Sequence, residues 1–295
     1  MTNGPHESTL DANGMRFRAL RWEGAGPTAL FVHATSFCAD GWQPVVAELQ
    51  QAALPSPRAV ATDQRGHGGS DAPADSAAYQ WTRLAEDLAA IASKLAAEDR
   101  MRSAVIGVGH SSGATSLLAT AGMHPERFAA LVAIEPVVWG EPMSGSTDSF
   151  AGSSFLASSA RRRRDRFASR EDARLRLRAK PPYANFDPVA LDAVLRGTLT
   201  IDGDGVKLIC PGEREAACYE GAAALDLWPL AAQIRAPLLL VLGERGAVAP
   251  ALRDRLIATL PSVQIVTIPG GSHFVALERP REVAAVIARF FAERR

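Results

Sequence analysis

Cysteine is scarce in this 295-residue chain: there are 3, Cys38, Cys210 and Cys218. No two stand as Cys-x-x-Cys, and an odd, sparse count gives no disulfide framework and fits a reducing compartment. Net charge is also missing, since 32 Lys and Arg balance 32 Asp and Glu. The chain as a whole therefore carries no electrostatic bias toward nucleic acid or a membrane surface. No apolar run approaches the roughly 20 residues that a membrane helix needs. The first ten residues lack a basic segment followed by an apolar one, so no secretory signal is expected and a cytoplasmic location is the default expectation. The 6 histidines (His6, His33, His67, His110, His124 and His273) include no pair at His-Glu-x-x-His spacing. Neither a zinc site nor another cofactor is expected.

What the chain has is an ordinary globular balance, 47% hydrophobic and 22% charged, with apolar runs that alternate with helix-forming stretches. Residues 1–10 read as a frayed polar tail and Met15–Trp22 as an edge strand. Thr28–His33, Ala59–Thr62, Ala104–Val108 and Phe128–Ile134 are short continuous apolar runs, as strands buried on both faces require. Helices are predicted near Val45–Gln51, over Leu84–Leu95 (apolar at Leu84, Leu88, Ile91 and Leu95) and over Ala114–Met123. Such alternation implies parallel crossovers and a doubly wound sheet. The pattern stops at Pro136 and resumes at Pro237–Leu242, followed by a helix (Ala251–Leu260), a strand (Val263–Ile268) and a last helix (Arg281–Phe291). Residues 136–232 thus read as an insertion between two strands of one sheet, dividing the chain into 1–135, 136–232 and 233–295. Within the insertion, residues 161–180 hold nine Arg and Lys180 against Asp165, Glu171 and Asp172. The expectation is a solvated helix, with steering of anionic substrates as the alternative.

The chemistry is concentrated in Gly109-His110-Ser111-Ser112-Gly113. A buried strand passing through a sharp turn into a helix would present Ser111 at the tip, and the glycines let helix and strand approach closely. A serine nucleophile needs a base, an acid that orients the base, and donors for an oxyanion. The candidate base is His273, in Pro269-Gly270-Gly271-Ser272-His273. That loop follows the last strand, at the carboxyl edge of the sheet where ligand chemistry in open α/β sheets concentrates. His33 and His67 lie in loops near the same edge, as structural or site-lining residues. His110 is read as packing.

Taken together, His33-Ala34-Thr35, Asp63-x-Arg65-Gly66-x-Gly68-x-Ser70, Gly109-x-Ser111-x-Gly113 and Gly270-Gly271-Ser272-His273 with Glu278-x-Pro280 resemble the α/β-hydrolase superfamily in its cap-bearing branch. The resemblance implies an α/β fold: a mostly parallel eight-stranded sheet with flanking helices and a largely helical cap inserted after strand six, where residues 136–232 fall. It implies oxyanion donors at the backbone N–H groups of Thr35 and Ser112, although Ala34 stands where the family has glycine. It also implies an aspartate after strand seven, and there the sequence reads Gly243-Glu244-Arg245-Gly246, with glycine at the aspartate's place. Some members carry the acid after strand six instead. That position is Glu135, 24 residues past Ser111, at the end of an apolar strand where an unpaired charge is costly. Glu135 is the expected acid and Glu244 the fallback.

The expected function is hydrolysis of a carboxylic ester or lactone of a hydrophobic small molecule through an acyl-enzyme on Ser111. The insertion's apolar residues (Phe150, Phe155, Leu156, Phe167, Tyr183, Phe186, Tyr219, Leu227, Trp228) motivate the hydrophobic substrate. Carbon–carbon bond hydrolysis and cofactor-free oxygenase or perhydrolase chemistry are alternatives on the same fold. A non-catalytic ligand-binding relative is another, because of Gly246. Dinucleotide binding at Gly107-x-Gly109 leaves the His273 loop unexplained and has Ser112 at the third glycine position. No nucleic-acid or membrane partner is expected.

Overall fold

The computed structural model describes residues 4–53, 55–98, 104–138, 149–260 and 262–293. Their strands are β1 (His6–Ala12), β2 (Met15–Trp22), β3 (Thr28–Val32), β4 (Arg58–Thr62), β5 (Val105–His110), β6 (Phe128–Ile134), β7 (Arg166–Phe167), β8 (Leu199–Asp202), β9 (Gly205–Leu208), β10 (Leu238–Arg245) and β11 (Val263–Ser272). Eight of them form one sheet in the order β1-β2-β4-β3-β5-β6-β10-β11. From β4 to β11 every pairing is parallel, and β2 alone runs against its neighbours. β3 and β5 are buried along their whole length, which is why they read as unbroken apolar runs rather than alternating ones. Helices cover both faces. Trp81–Glu98 and Ser112–Met123 share a core with Leu30, Val32 and Leu240, while Gln43–Ala52 and Pro280–Ala292 share the other with Phe31, Val108 and Val241.

Residues 6–10 of the predicted frayed tail belong to a strand. β1 pairs along its length with β2, and the link is Asn13-Gly14, both at positive φ (47° and 71°). This two-residue hairpin turn matches the twist of the strands it joins. Met15–Trp22 is consequently second in the sheet, not at its edge.

Between β6 and β10 the chain builds a separate layer. It holds helices Ser149–Arg162, Arg170–Arg178, Pro188–Thr198 and Gly212–Gly221, and a three-stranded antiparallel sheet β7-β9-β8. The insertion is therefore not helical alone. Its strands have two to four residues each and too few apolar positions to register as buried runs. The layer packs over the carboxyl edge of the main sheet: Phe167, Phe186, Leu191, Val194 and Leu208 cluster with Ala34 and Phe37 of the loop after β3 and with Leu277. The Asp187 N–H donates to the Leu277 carbonyl at 2.9 Å. Residues 161–180 are split between the end of one helix, β7 and the helix Arg170–Arg178, so they do not form the single solvated helix expected. No helix among the described residues is long and apolar enough to cross a membrane.

Candidate active site

Ser111 sits where β5 turns into the helix Ser112–Met123, at φ 54° and ψ −121°. A non-glycine residue held there stores about 1–3 kcal/mol of strain and persists only when its surroundings fix it. They do: the Ser111 N–H donates to Ile134 O at 2.9 Å, and the Thr115 N–H donates to Ser111 O at 3.0 Å. The flanking glycines are steric necessities. A Cβ on Gly109 would lie 2.7 Å from the Ala114 backbone, and one on Gly113 would lie 2.5 Å from the carbonyl oxygens of Val32 and His33. The helix consequently starts against β3, and its first N–H groups, beginning with Ser112, lack helical acceptors.

His273 follows β11 and reaches Ser111: its Nε2 is 2.9 Å from Ser111 Oγ. Its loop is braced on both sides. Glu278 accepts from the Ser272 N–H and hydroxyl at 2.8 and 2.7 Å. His110 Nε2–H donates to the His273 carbonyl at 2.7 Å. Burial, and then the neighbouring His273, hold the His110 ring neutral, with its pKa down to about 3. His110 is thus a specific brace and not mere packing. The sequence signal was its position on β5, one residue before the turn.

Glu135 directly follows β6, at φ 48°, and is fully buried. Its Oε1 accepts from the Gly243 N–H at 2.8 Å, and its Oε2 from the Ala247 N–H at 2.7 Å. The same Oε2 lies 3.3 Å from His273 Nδ1. A carboxylate accepts and does not donate, so this arrangement puts the proton on Nδ1 and leaves Nε2 free to accept from the serine hydroxyl. Glu244 lies elsewhere, exposed, accepting from the Gly270 N–H at 2.8 Å. Gly246 shows why its site is empty of side chain: a Cβ there would lie 2.0 Å from Glu135 Oε1. The glutamate carboxylate occupies the space that a side chain at 246 would need.

Thr35 and Ser112 also meet, in a way the sequence did not show. The Thr35 N–H donates to Ser112 Oγ at 2.8 Å, and Thr35 Oγ1 lies 3.0 Å from the same oxygen. The Thr35 loop is held from behind by the Asp63–Ser70 turn. Its Ser36, at φ 75°, donates its N–H to His67 Nε2 at 3.0 Å. His33 Nε2 accepts from the Gln64 N–H at 2.9 Å. Burial keeps both rings neutral, with the His67 pKa lowered to about 4. Both histidines are therefore braces of the loop.

A model of the alpha/beta hydrolase family matches residues 29–286. The chain belongs to that family. This hydrolase is 27% identical over 277 residues, 92% of its length and 90% of the relative's, to the 2-(acetamidomethylene)succinate hydrolase of Mesorhizobium japonicum. Among solved structures it resembles E-2-(acetamidomethylene)succinate hydrolase (TM-score 0.83, 23% identity, covering 98% of this chain and 99% of that one). It also resembles a thioesterase domain from the curacin biosynthetic pathway (TM-score 0.75, 20% identity, 99% and 100% covered). Among the described residues of the hydrolase, no three His, Cys, Asp or Glu side chains converge as a metal set.

Proposed function

We propose that the chain is a serine hydrolase that cleaves a carboxylic ester or lactone of a small molecule through an acyl-enzyme on Ser111. The observation that carries this reading is the continuous chain Ser111 Oγ–His273–Glu135, with contacts of 2.9 and 3.3 Å. His273 takes the serine proton as Ser111 attacks the carbonyl carbon. Glu135 holds the imidazole in the Nδ1–H form and faces the positive charge that develops on the ring. The substrate carbonyl oxygen takes the Ser112 N–H, which opens its helix, and displaces the Ser112 hydroxyl from the Thr35 N–H. His273 then returns its proton to the leaving group, and water attacking the acyl-serine completes the cycle. Oxyanion donors of this kind contribute about 10²–10³-fold each.

Residues 1–135 and 233–295 are read as the catalytic core, and residues 136–232 as the cap that covers it. Tyr183 and Phe186 of the cap, with Phe37 and Phe274, form an aromatic wall. Phe274 lies 5.0 Å from the His273 ring, edge to face, and 5.8 Å from Phe186. The other aromatic and apolar residues named from the sequence divide. Phe167 and Leu227 are buried in packed clusters, Phe155 is exposed, and the Phe150 side chain lies outside the described residues. The test is labelling with a fluorophosphonate probe and turnover of an ester and lactone panel. Wild type is expected to label at Ser111 and to hydrolyse members of the panel, and Ser111→Ala to do neither. Labelling that persists in Ser111→Ala refutes the assignment.

A further inference from the structure

The arginine-rich stretch looks uniform in sequence and is not so in space. Arg161 pairs with Glu213 and Glu220 at the surface, Arg174 with Asp192, and Arg176 with Asp172. Arg170 donates to the carbonyls of Leu195 and Leu199. Arg163 alone among these turns inward, and its side chain is 22% exposed. Its Nη1 lies 2.6 Å from Glu215 Oε2, and its Nη2 donates to Cys210 O at 3.2 Å. The pair does not satisfy itself. Arg163 Nε is buried with no hydrogen-bond partner among the described residues, and Glu215 Oε2 has only its ion-pair contact with Nη1. A buried charged donor left unfilled is costly, more so than a neutral one.

Arg214 lies in the same cluster, donating to the carbonyls of Gly66 and Ile209 at 3.2 and 2.8 Å. Arg163, Arg214 and Glu215 all lie near Cys210, with Glu213 and Glu220 on the neighbouring Arg161. The cluster adjoins the chemistry. The Tyr219 hydroxyl lies 3.2 Å from Glu215 Oε1 and beside the Ser36 hydroxyl, next to Thr35. The Tyr183 phenol lies beside Arg163, and its ring stands 6.2 Å from Phe37.

Resting on the acyl-hydrolase reading above, we propose that Arg163, backed by Arg214 and flanked by Tyr183 and Tyr219, binds a carboxylate carried by the substrate. The carboxylate takes the free Nε–H and an Nη–H in a two-pronged contact, which suits the planar guanidinium. The substrate class is then an ester or lactone bearing a second, ionised carboxyl group.

The test compares 4-nitrophenyl hemiglutarate with its neutral counterpart 4-nitrophenyl valerate. Wild type is expected to prefer the anion. Arg163→Gln is expected to lower kcat/KM about 10- to 100-fold on the hemiglutarate, the loss of a hydrogen bond to a charged group, and less than about 3-fold on the valerate. Glu215→Gln, which removes the competing carboxylate, is expected to raise the hemiglutarate rate, a gain that a merely structural ion pair does not produce. Should Arg163→Gln fail to fold with Glu215 uncompensated, Arg163→Gln/Glu215→Gln is expected to show the same split between substrates. Equal losses on both esters, or no anion preference in wild type, overturn the proposal. Calorimetry of glutarate with the Ser111→Ala protein separates the two readings, because it needs no nucleophile. Absent binding refutes the anion site, whereas binding together with unlabelled Ser111 in wild type refutes the serine mechanism and leaves the anion site standing.

Discussion

Replacing Glu135 by Gln exchanges one oxygen for an NH₂ group and sets three hydrogen bonds against one another. The carboxylate accepts from Gly243 N–H on one oxygen and from Ala247 N–H on the other, which also faces His273 Nδ1. An amide has a single oxygen. Aimed at Gly243, it turns its NH₂ toward the Ala247 N–H and donates to His273 Nδ1, which moves the ring proton to Nε2. A ring protonated at Nε2 cannot accept from Ser111. Aimed the other way, the amide keeps the useful tautomer, sets its NH₂ against the Gly243 N–H, and supplies no charge to face the imidazolium. Either orientation buries an unmatched donor at about 1–3 kcal/mol of stability. The rate loss expected is about 10³–10⁴-fold in kcat, or about 4–5.5 kcal/mol, the scale seen when a serine protease's orienting aspartate becomes asparagine. The assay is steady-state hydrolysis of the best ester in the panel, with thermal unfolding measured in parallel. Glu244→Gln is the control and is expected to stay within about threefold of wild type, since Glu244 bonds only the exposed Gly270 N–H. Activity of Glu135→Gln within tenfold of wild type, or a large loss in Glu244→Gln, refutes the assignment of the acid.

Two further outcomes follow from the geometry. Gly246→Asp is expected to cost at least 10²-fold in kcat/KM, because any side chain there collides with Glu135; Gly246→Asp/Glu135→Gly is expected to recover at least tenfold of that loss, and failure of the double variant to improve on the single one refutes the exchange. Folding stability is expected to be full above pH 6.5 and to decline as the pH falls toward 4. The His67 pKa is lowered from 6.5 to about 4, so the unfolded chain takes up a proton through that window and the folded chain does not; the contribution is about 3 kcal/mol. His67→Gln is expected to flatten the slope of denaturant midpoint against pH between 6.5 and 4, and an unchanged slope refutes it.

The sequence exposed the sheet where strands are buried on both faces, because such strands must be continuously apolar. It hid β1, whose seven residues are mostly polar and exposed. That strand forms because the Asn13-Gly14 turn folds it onto β2. The small sheet β7-β9-β8 was invisible for a different reason: two- to four-residue strands carry no periodicity. Ser111, His273 and Glu135 were legible because each directly follows a strand at one edge, and because glycine stands at 246 in place of an aspartate. Contacts that depend on three-dimensional neighbours were out of reach. Nothing local marks Ser112 Oγ as the acceptor of the Thr35 N–H, or Arg163 as the one arginine of its run that turns inward.

The contact between Gly246 and Glu135 has a consequence for how such a chain can change over time. The two positions are 111 residues apart in sequence, yet one volume serves both, so they cannot be filled independently. A lineage that carried an acid at 246 could not admit Glu135 until the earlier side chain had gone. The reverse passage meets the same obstacle. Any route between the two arrangements therefore runs through a form with glycine at 246 and no acid behind the histidine, or through two changes at once. Glycine at 246 is the permissive state in either direction, and a side chain there is barred for as long as Glu135 remains.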